Sequence, residues 1–189
     1  MAAPHNAATS DTLAPSAAVP VQWERYVGTW YDVASIPQPF TADCVGARAE
    51  YVIGPYERTA SNGIAPTVLV RNTCYRADAS QSTVDGTAQI VGPGRLYVQF
   101  PSQPPYGSAN GTARTLGNYW VHAVGPEYGW AVVGAPDRSG AYILARGEAL
   151  AQVQRWLPDA LQVLQCLGYP LQALQQRNLA VYACAERYR

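Results

Sequence analysis

One imidazole stands in patterned sequence here. His122 lies in Asn118-Tyr119-Trp120-Val121-His122, and the second histidine, His5, lies near the N-terminus. A lone imidazole could ligate a haem iron or take and release a proton near neutral pH. With no paired ligand, it reads otherwise as an exposed strand residue. The four cysteines, Cys44, Cys74, Cys166 and Cys184, offer thiol or disulfide chemistry. All thirteen basic residues are arginine, so no side-chain amine exists to form a Schiff base. Tyrosine is plentiful, at 13 against two phenylalanines. Tyr51, Tyr119 and Tyr142 stand in strand-like runs, where a phenol packs a wall or meets a ligand's polar end. A hydrolytic triad would need His122 beside a serine and a carboxylate, and the sequence singles out neither. It contains no HExxH, paired Cys-x-x-Cys, Gly-rich phosphate loop or nucleophile elbow. No catalytic residue, metal ligand or cofactor is therefore assigned, and the expectation is a protein that is not an enzyme.

The elements that would position these groups are mostly strands. Arg25-Tyr26-Val27-Gly28-Thr29-Trp30-Tyr31 opens a run over 28–36, which Pro37 and Pro39 break. Further runs cover 45–53, 67–75, 83–91, 95–100, 117–124, 128–134 and 141–146. Turn signals separate them: Gly54-Pro55, Ser61-Asn62-Gly63, Gly92-Pro93-Gly94 and Gly125-Pro126-Glu127. Gly86 reads as a bulge or bend. Short strands spaced this way give an all-β sandwich or barrel. Tyr142-Ile143-Leu144-Ala145-Arg146 ends in a guanidinium that can lie over Trp30, a contact worth roughly 0.5–2 kcal/mol. That contact would make the first and last strands neighbours and close the barrel. Gly28, Trp30 and Arg146 are read as structural.

Residues 148–167 are the exception. Leu150, Val153, Trp156/Leu157, Ala160/Leu161, Leu164 and Leu167 recur at helical spacing, with Pro158-Asp159 splitting the helix and Gly168 ending it. Leu179-Ala180-Val181-Tyr182 would add an edge strand. The segment 101–116 reads as a mobile rim loop, and Asn110-Gly111-Thr112 matches a glycosylation sequon.

Bulk properties narrow the classes. A net charge of zero gives no electrostatic case for nucleic acid. No run of about eighteen apolar residues occurs, so no transmembrane helix is expected. Residues 1–20 read as a disordered leader and 21–189 as one domain. The leader lacks the charged start and apolar run of an intact signal peptide. With an even cysteine count, the expectation is a secreted, periplasmic or cell-envelope protein whose signal has been removed.

Three segments taken together carry a resemblance. GTWYDVASIP, NYWVHAVGPEYGWAVVGAPDRSGAYILAR and CLGYPLQALQ, in that order, resemble the lipocalins, and within them the bacterial and apolipoprotein D-like branch. The match spans about residues 22–183. It implies an eight-stranded antiparallel up-and-down barrel with one C-terminal helix packed outside. It also implies a cavity for a small hydrophobic ligand such as a fatty acid or phospholipid. The early residues lack the lipidation cysteine of outer-membrane relatives. Expected partners are the ligand, a transient membrane contact and at most a weak dimer. The alternatives are an isomerase or cyclase on this scaffold, or a haem or tetrapyrrole carrier using His122. One lipocalin branch places isomerase chemistry on a free strand thiol.

If 44–54 and 66–76 pair as a hairpin, Cys44 and Cys74 come within disulfide reach, leaving Cys166–Cys184 to tie helix to tail. The rival, which the relatives imply, is Cys44–Cys184 with Cys74–Cys166.

In a barrel, alternate residues face inward. Strand 117–124 offers Asn118, Trp120 and His122 on one face, or Tyr119, Val121 and Ala123 on the other; the resemblance favours the second. On the same logic Ala47, Ala49 and Tyr51 face inward, as do Val68 and Val70. Leu96, Val98 and Phe100 follow, then Ala131, Val133, Tyr142 and Leu144. Phe40 and the 101–116 loop would frame the mouth. These residues either leave a ligand cavity or fill a closed core.

Overall fold

The computed structural model describes residues 18–58, 63–101 and 113–187, without the side chains of 113 and 184–187. Most of the expected leader, residues 59–62 and most of the expected 101–116 rim loop, with its sequon, lie outside the described residues. The chain is already packed at Val19, whose N–H donates to the Val121 carbonyl at 2.8 Å.

Eight strands close into an antiparallel barrel: β1 Gly28–Ser35, β2 Gly46–Arg58, β3 Ile64–Tyr75, β4 Gln81–Gly92, β5 Arg95–Gln99, β6 Tyr119–Val124, β7 Trp130–Gly134 and β8 Ala141–Ala145. Each pairs with its neighbour in sequence, and β1 pairs with both β2 and β8 to complete the ring. A ninth strand, β9 Gln175–Gln176, lies outside on β1.

The lower end is sealed by α1, Trp23–Tyr26, and by one arginine. Arg146 stacks its guanidinium 4.2 Å from the centroid of fully buried Trp30. Its Nη2 donates to the carbonyls of Arg25, Tyr26 and Val27 at 2.7–3.0 Å, and its Nε to Tyr128 O at 3.0 Å. The Trp30 indole N–H donates to Tyr26 O at 2.7 Å. Gly28 must be glycine for this arrangement. Its φ is +107°, and a Cβ there would lie 2.9 Å from Arg146 Nη1.

Apolar groups pack in two layers. Inside the barrel, Trp30, Tyr51, Val68, Val70, Leu96, Val121, Ala131 and Val133 pack above α1. Outside, α4 (Val153–Cys166) lays Trp156, Ala160 and Leu164 on Val33, Val132 and Ile143, and the Trp156 and Trp130 rings stack at 5.6 Å.

Several expectations need correction. The expected helix over 148–167 does divide, but at Ala151–Gln152, between α3 (Gly147–Leu150) and α4. Pro158 sits inside α4. It removes one backbone hydrogen bond, but buried residues on both sides hold the helix together. Gly54-Pro55 is no turn; β2 runs through it with a register shift between Ile53 and Tyr56. Gly86 is no bulge, because β4 keeps regular register with β3 there. It is small because β5 approaches closely: a Cβ would fall 2.5 Å from Gln99 O. The edge strand is 175–176, and 180–187 is a helix, α5. Residues 113–116 of the expected rim loop form the helical turn α2.

Arg146→Ala removes charge-assisted hydrogen bonds and the indole contact together. The expected loss is about 2–4 kcal/mol, seen as a melting temperature lower by roughly 5–15 °C. Arg146→Lys recovers only part of it, because an ammonium lacks the planar fork.

Candidate functional site

The barrel encloses a cavity of about 360 Å³ that opens opposite α1. Its floor is a cluster of phenols. Tyr26 and Tyr119 hydroxyls lie 2.6 Å apart, and Tyr51 OH donates to Tyr119 OH at 3.2 Å. Burial holds all three phenols in the neutral form above the ordinary tyrosine range, and Tyr51 is pushed up to about 12. The apolar wall is Ala49, Val70, Val98, Val133 and Leu144. Phe100 and Tyr142 border it higher up, and Phe40, 36% exposed, stands at the mouth.

Ten of the thirteen expected ligand residues therefore line this cavity: these eight together with Tyr51 and Tyr119. Val68, Val121 and Ala131 face inward but pack in the core below it. Ala123 corrects the alternation on β6. The β6–β7 register shifts between Val121 and Ala123, so Ala123 turns outward onto the α4 layer. His122, in that irregularity, is neither exposed nor in the cavity. It is buried, its Nε2 is 2.7 Å from Tyr169 OH, and that hydroxyl donates to Ala135 O at 2.8 Å.

The cavity also has a polar side that the apolar pattern did not reveal: Asp32, Thr41, Arg48, Asn72, Thr73, Ser82 and Thr83 line it. Asp32 was findable in principle. It stands two residues beyond inward-facing Trp30, with the same alternation. Its partner was not findable, since Arg177 is 145 residues away.

That partner fills a seam. β1 pairs with β2 only from Gly28 to Tyr31 and then diverges. β9 takes the vacated edge at Ala34 and Ser35. Arg177 N–H donates to Val33 O on one side, and Asn178 N–H to Val45 O on the other. The Arg177 guanidinium donates to Asp32 Oδ2 at 2.8 Å, Ser35 Oγ at 2.7 Å and Cys44 O at 2.7 Å. Tyr182 OH adds a second bridge, donating to Asp32 O at 2.6 Å and accepting from Ala47 N–H at 3.0 Å. Burial raises the Asp32 carboxyl above the usual carboxylate range; Arg177 and Ser35 pull it back down.

The mouth is cross-linked by Cys44–Cys74, with Cα atoms 5.4 Å apart. Cys74 lines the cavity, but its thiol is consumed in this bond, as is that of Cys44. The bond excludes the rival pairing. The expected Cys166–Cys184 bond is corrected as well: Cys166 is a free, exposed thiol. It ends α4, which packs over β6 and β7, whereas α5 docks beside Tyr31 and Tyr75 through Tyr182. The Cys184 side chain lies outside the described residues. Among the described residues, no cluster of three or more His, Cys, Asp or Glu could hold a metal ion, and no helix is long and apolar enough to cross a membrane.

The model of the lipocalin-like domain matches residues 21–178. Temperature-induced lipocalin-1 of Arabidopsis thaliana is 32% identical over 130 residues, which is 65% of this chain and 61% of that protein. The match thus leaves more than a third of that relative uncovered. Lobster apocrustacyanin A1 superposes with a TM-score of 0.53 at 13% identity, over 82% of this chain and 77% of its own. Insecticyanin of the tobacco hornworm Manduca sexta gives 0.53 at 15% identity, over 86% and 83%. At those identities the two structures speak to the fold alone.

Arg177→Met strands a buried carboxylate, with an expected loss of about 3–5 kcal/mol in chemical denaturation. Alkaline pH gives a separate check on the floor. Folded tyrosines with raised pKa keep protons that the unfolded chain releases above about pH 10. Stability is therefore full below that pH and falls as pH rises toward 12. Absorbance at 295 nm should show these phenols ionising only as the protein unfolds.

Proposed function

This chain belongs to the lipocalin family, and on that premise we propose that it binds and carries a small hydrophobic ligand, such as a fatty acid or phospholipid, in its cavity. The observation that supports this reading is the cavity itself: one-mouthed, sealed below by Trp30 and Arg146, and walled by small aliphatic side chains. At about 360 Å³ it falls at the small end of ligand pockets, roughly 300–1,000 Å³. Binding by desolvation contributes roughly 25 cal/mol per Å² of apolar surface, offset by the ordering of the ligand. The mechanism is passive, and no residue is assigned a catalytic role. A haem carrier would need His122 turned inward, and its place beside Tyr169 favours the apolar cargo instead.

Within the family we assign the chain to the bacterial and apolipoprotein D-like branch, on residues 28–37 and 118–146. The Cys44–Cys74 bond supports an oxidising location, extracellular or in the cell envelope. Val52, Tyr56 and Ile64, exposed at 57–71% on the long β2–β3 hairpin, support a transient membrane contact. A monomer or weak dimer suits a cavity that a single chain completes.

The test is a titration with the apolar fluorophore N-phenyl-1-naphthylamine. The wild-type protein should bind it saturably. Val98→Trp, which fills the wall, should weaken binding at least about tenfold while leaving the circular-dichroism spectrum unchanged. Equal binding by both proteins would place the probe elsewhere and sink the assignment.

A further inference from the structure

The polar side of the cavity is chemically incomplete. Among the described residues, four buried side-chain atoms have no hydrogen-bond partner, and three of the four belong to residues lining this one cavity: Asp32 Oδ1, Asn72 Oδ1 and Arg48 Nε. Buried polar atoms are nearly always partnered, so such a concentration calls for a reason. The three residues occupy one level of the wall. Asp32 follows Tyr31, which pairs with Arg48, and Arg48 pairs with Thr73, the neighbour of Asn72.

Asp32 constrains the ligand most. It is 3% exposed, and its Oδ2 is fully engaged by Arg177 and Ser35. Because Arg177 already neutralises the carboxylate, Oδ1 needs a hydrogen bond and not a second cation. Asn72 Oδ1 adds another acceptor. Arg48, held to Glu50 at 2.9 Å, shares the outer face with its register partner Tyr31, so its unpartnered Nε lies behind the wall and takes no part in the site. Two unpartnered acceptors on inward-facing residues match an uncharged group that donates, as the hydroxyls of a glycerol head do. A carboxylate has acceptors only and would present them to two oxygens.

We infer that the preferred ligand is an amphiphile with an uncharged, hydroxyl-bearing head, such as a glycerol monoester. Its hydroxyl donates to Asp32 Oδ1 beside Asn72, and its tail runs down to Val98 and Tyr119. This inference rests on the ligand-binding reading above and narrows it. It ranks a free fatty acid, the simplest candidate, below its neutral glycerol ester.

The experiment is displacement of N-phenyl-1-naphthylamine by 1-monolauroylglycerol, methyl laurate and laurate at neutral pH, below their aggregation concentrations. In the wild-type protein the glycerol ester should compete about tenfold better than methyl laurate, with laurate weakest. Asp32→Asn can leave its oxygen to Arg177 and turn an N–H into the cavity; the three competitors should then fall within about threefold of one another. Asn72→Val touches neither Asp32 nor Arg177 and should cut the preference at least about threefold. It decides the matter if Asp32→Asn does not fold. Equal competition in the wild-type protein, or a preference that survives in a folded variant, overturns the inference while leaving cavity binding intact. If the fluorophore itself does not bind, the ligand-binding reading fails and this inference goes with it.

Discussion

A barrel of this size must join its first strand to both its last and its second, and β1 is too short to do so along its whole length. Its lower half pairs with β2 and its upper half with β8. Tyr31 pairs with both and marks the crossover, next to Trp30. Around the Trp30 indole the fold concentrates its most specific contacts, with one guanidinium reaching four carbonyls. Those carbonyls belong to two segments, 25–27 and Tyr128, and such charge-assisted bonds are directional and bring polar backbone into the seal without leaving it unpaired. The closed floor, the phenol cluster above it and the single opening at the far end all follow from where that knot is tied.

The upper half of the barrel solves the same problem differently. There β1 and β2 diverge, and the C-terminal tail fills the gap with a two-residue strand, an arginine and a tyrosine. The repair puts an ion pair behind the cavity wall, which accounts for a carboxylate among aliphatic residues. It also divides the interior. Apolar groups and phenols occupy the floor and one wall, and oxygen-bearing side chains such as Asp32 and Asn72 occupy the other side. An amphiphile is the natural complement to such a division.

Much of this was legible in the sequence. The strand runs follow from alternation and turn residues, because local steric preference dictates them; alternation left two faces open on each strand, and the family resemblance chose the inward one. What escaped was non-local or irregular. The bulge at His122 reversed the facing of Ala123, which no period-two pattern reports. Tail residues near 180 alternate weakly, and their helix is fixed by Tyr182 docking across the seam. Arg177 sits in a polar stretch with nothing local to distinguish it. The Cys44–Cys74 bond was reachable from hairpin register, whereas the fate of Cys166 depended on which side of the barrel α4 and α5 each occupy.

The seam has a consequence for biosynthesis. Protein synthesis runs from N-terminus to C-terminus, and the residue that completes the wall beside Asp32 comes 145 positions after it. Until Arg177 leaves the ribosome, the nascent chain can form hairpins and stack its aromatic floor, yet it holds an anion at an unfinished edge. Closure is therefore a late, long-range step of the kind that slows folding. A chain that stopped just short of Arg177 would keep all eight barrel strands and still leave this edge open.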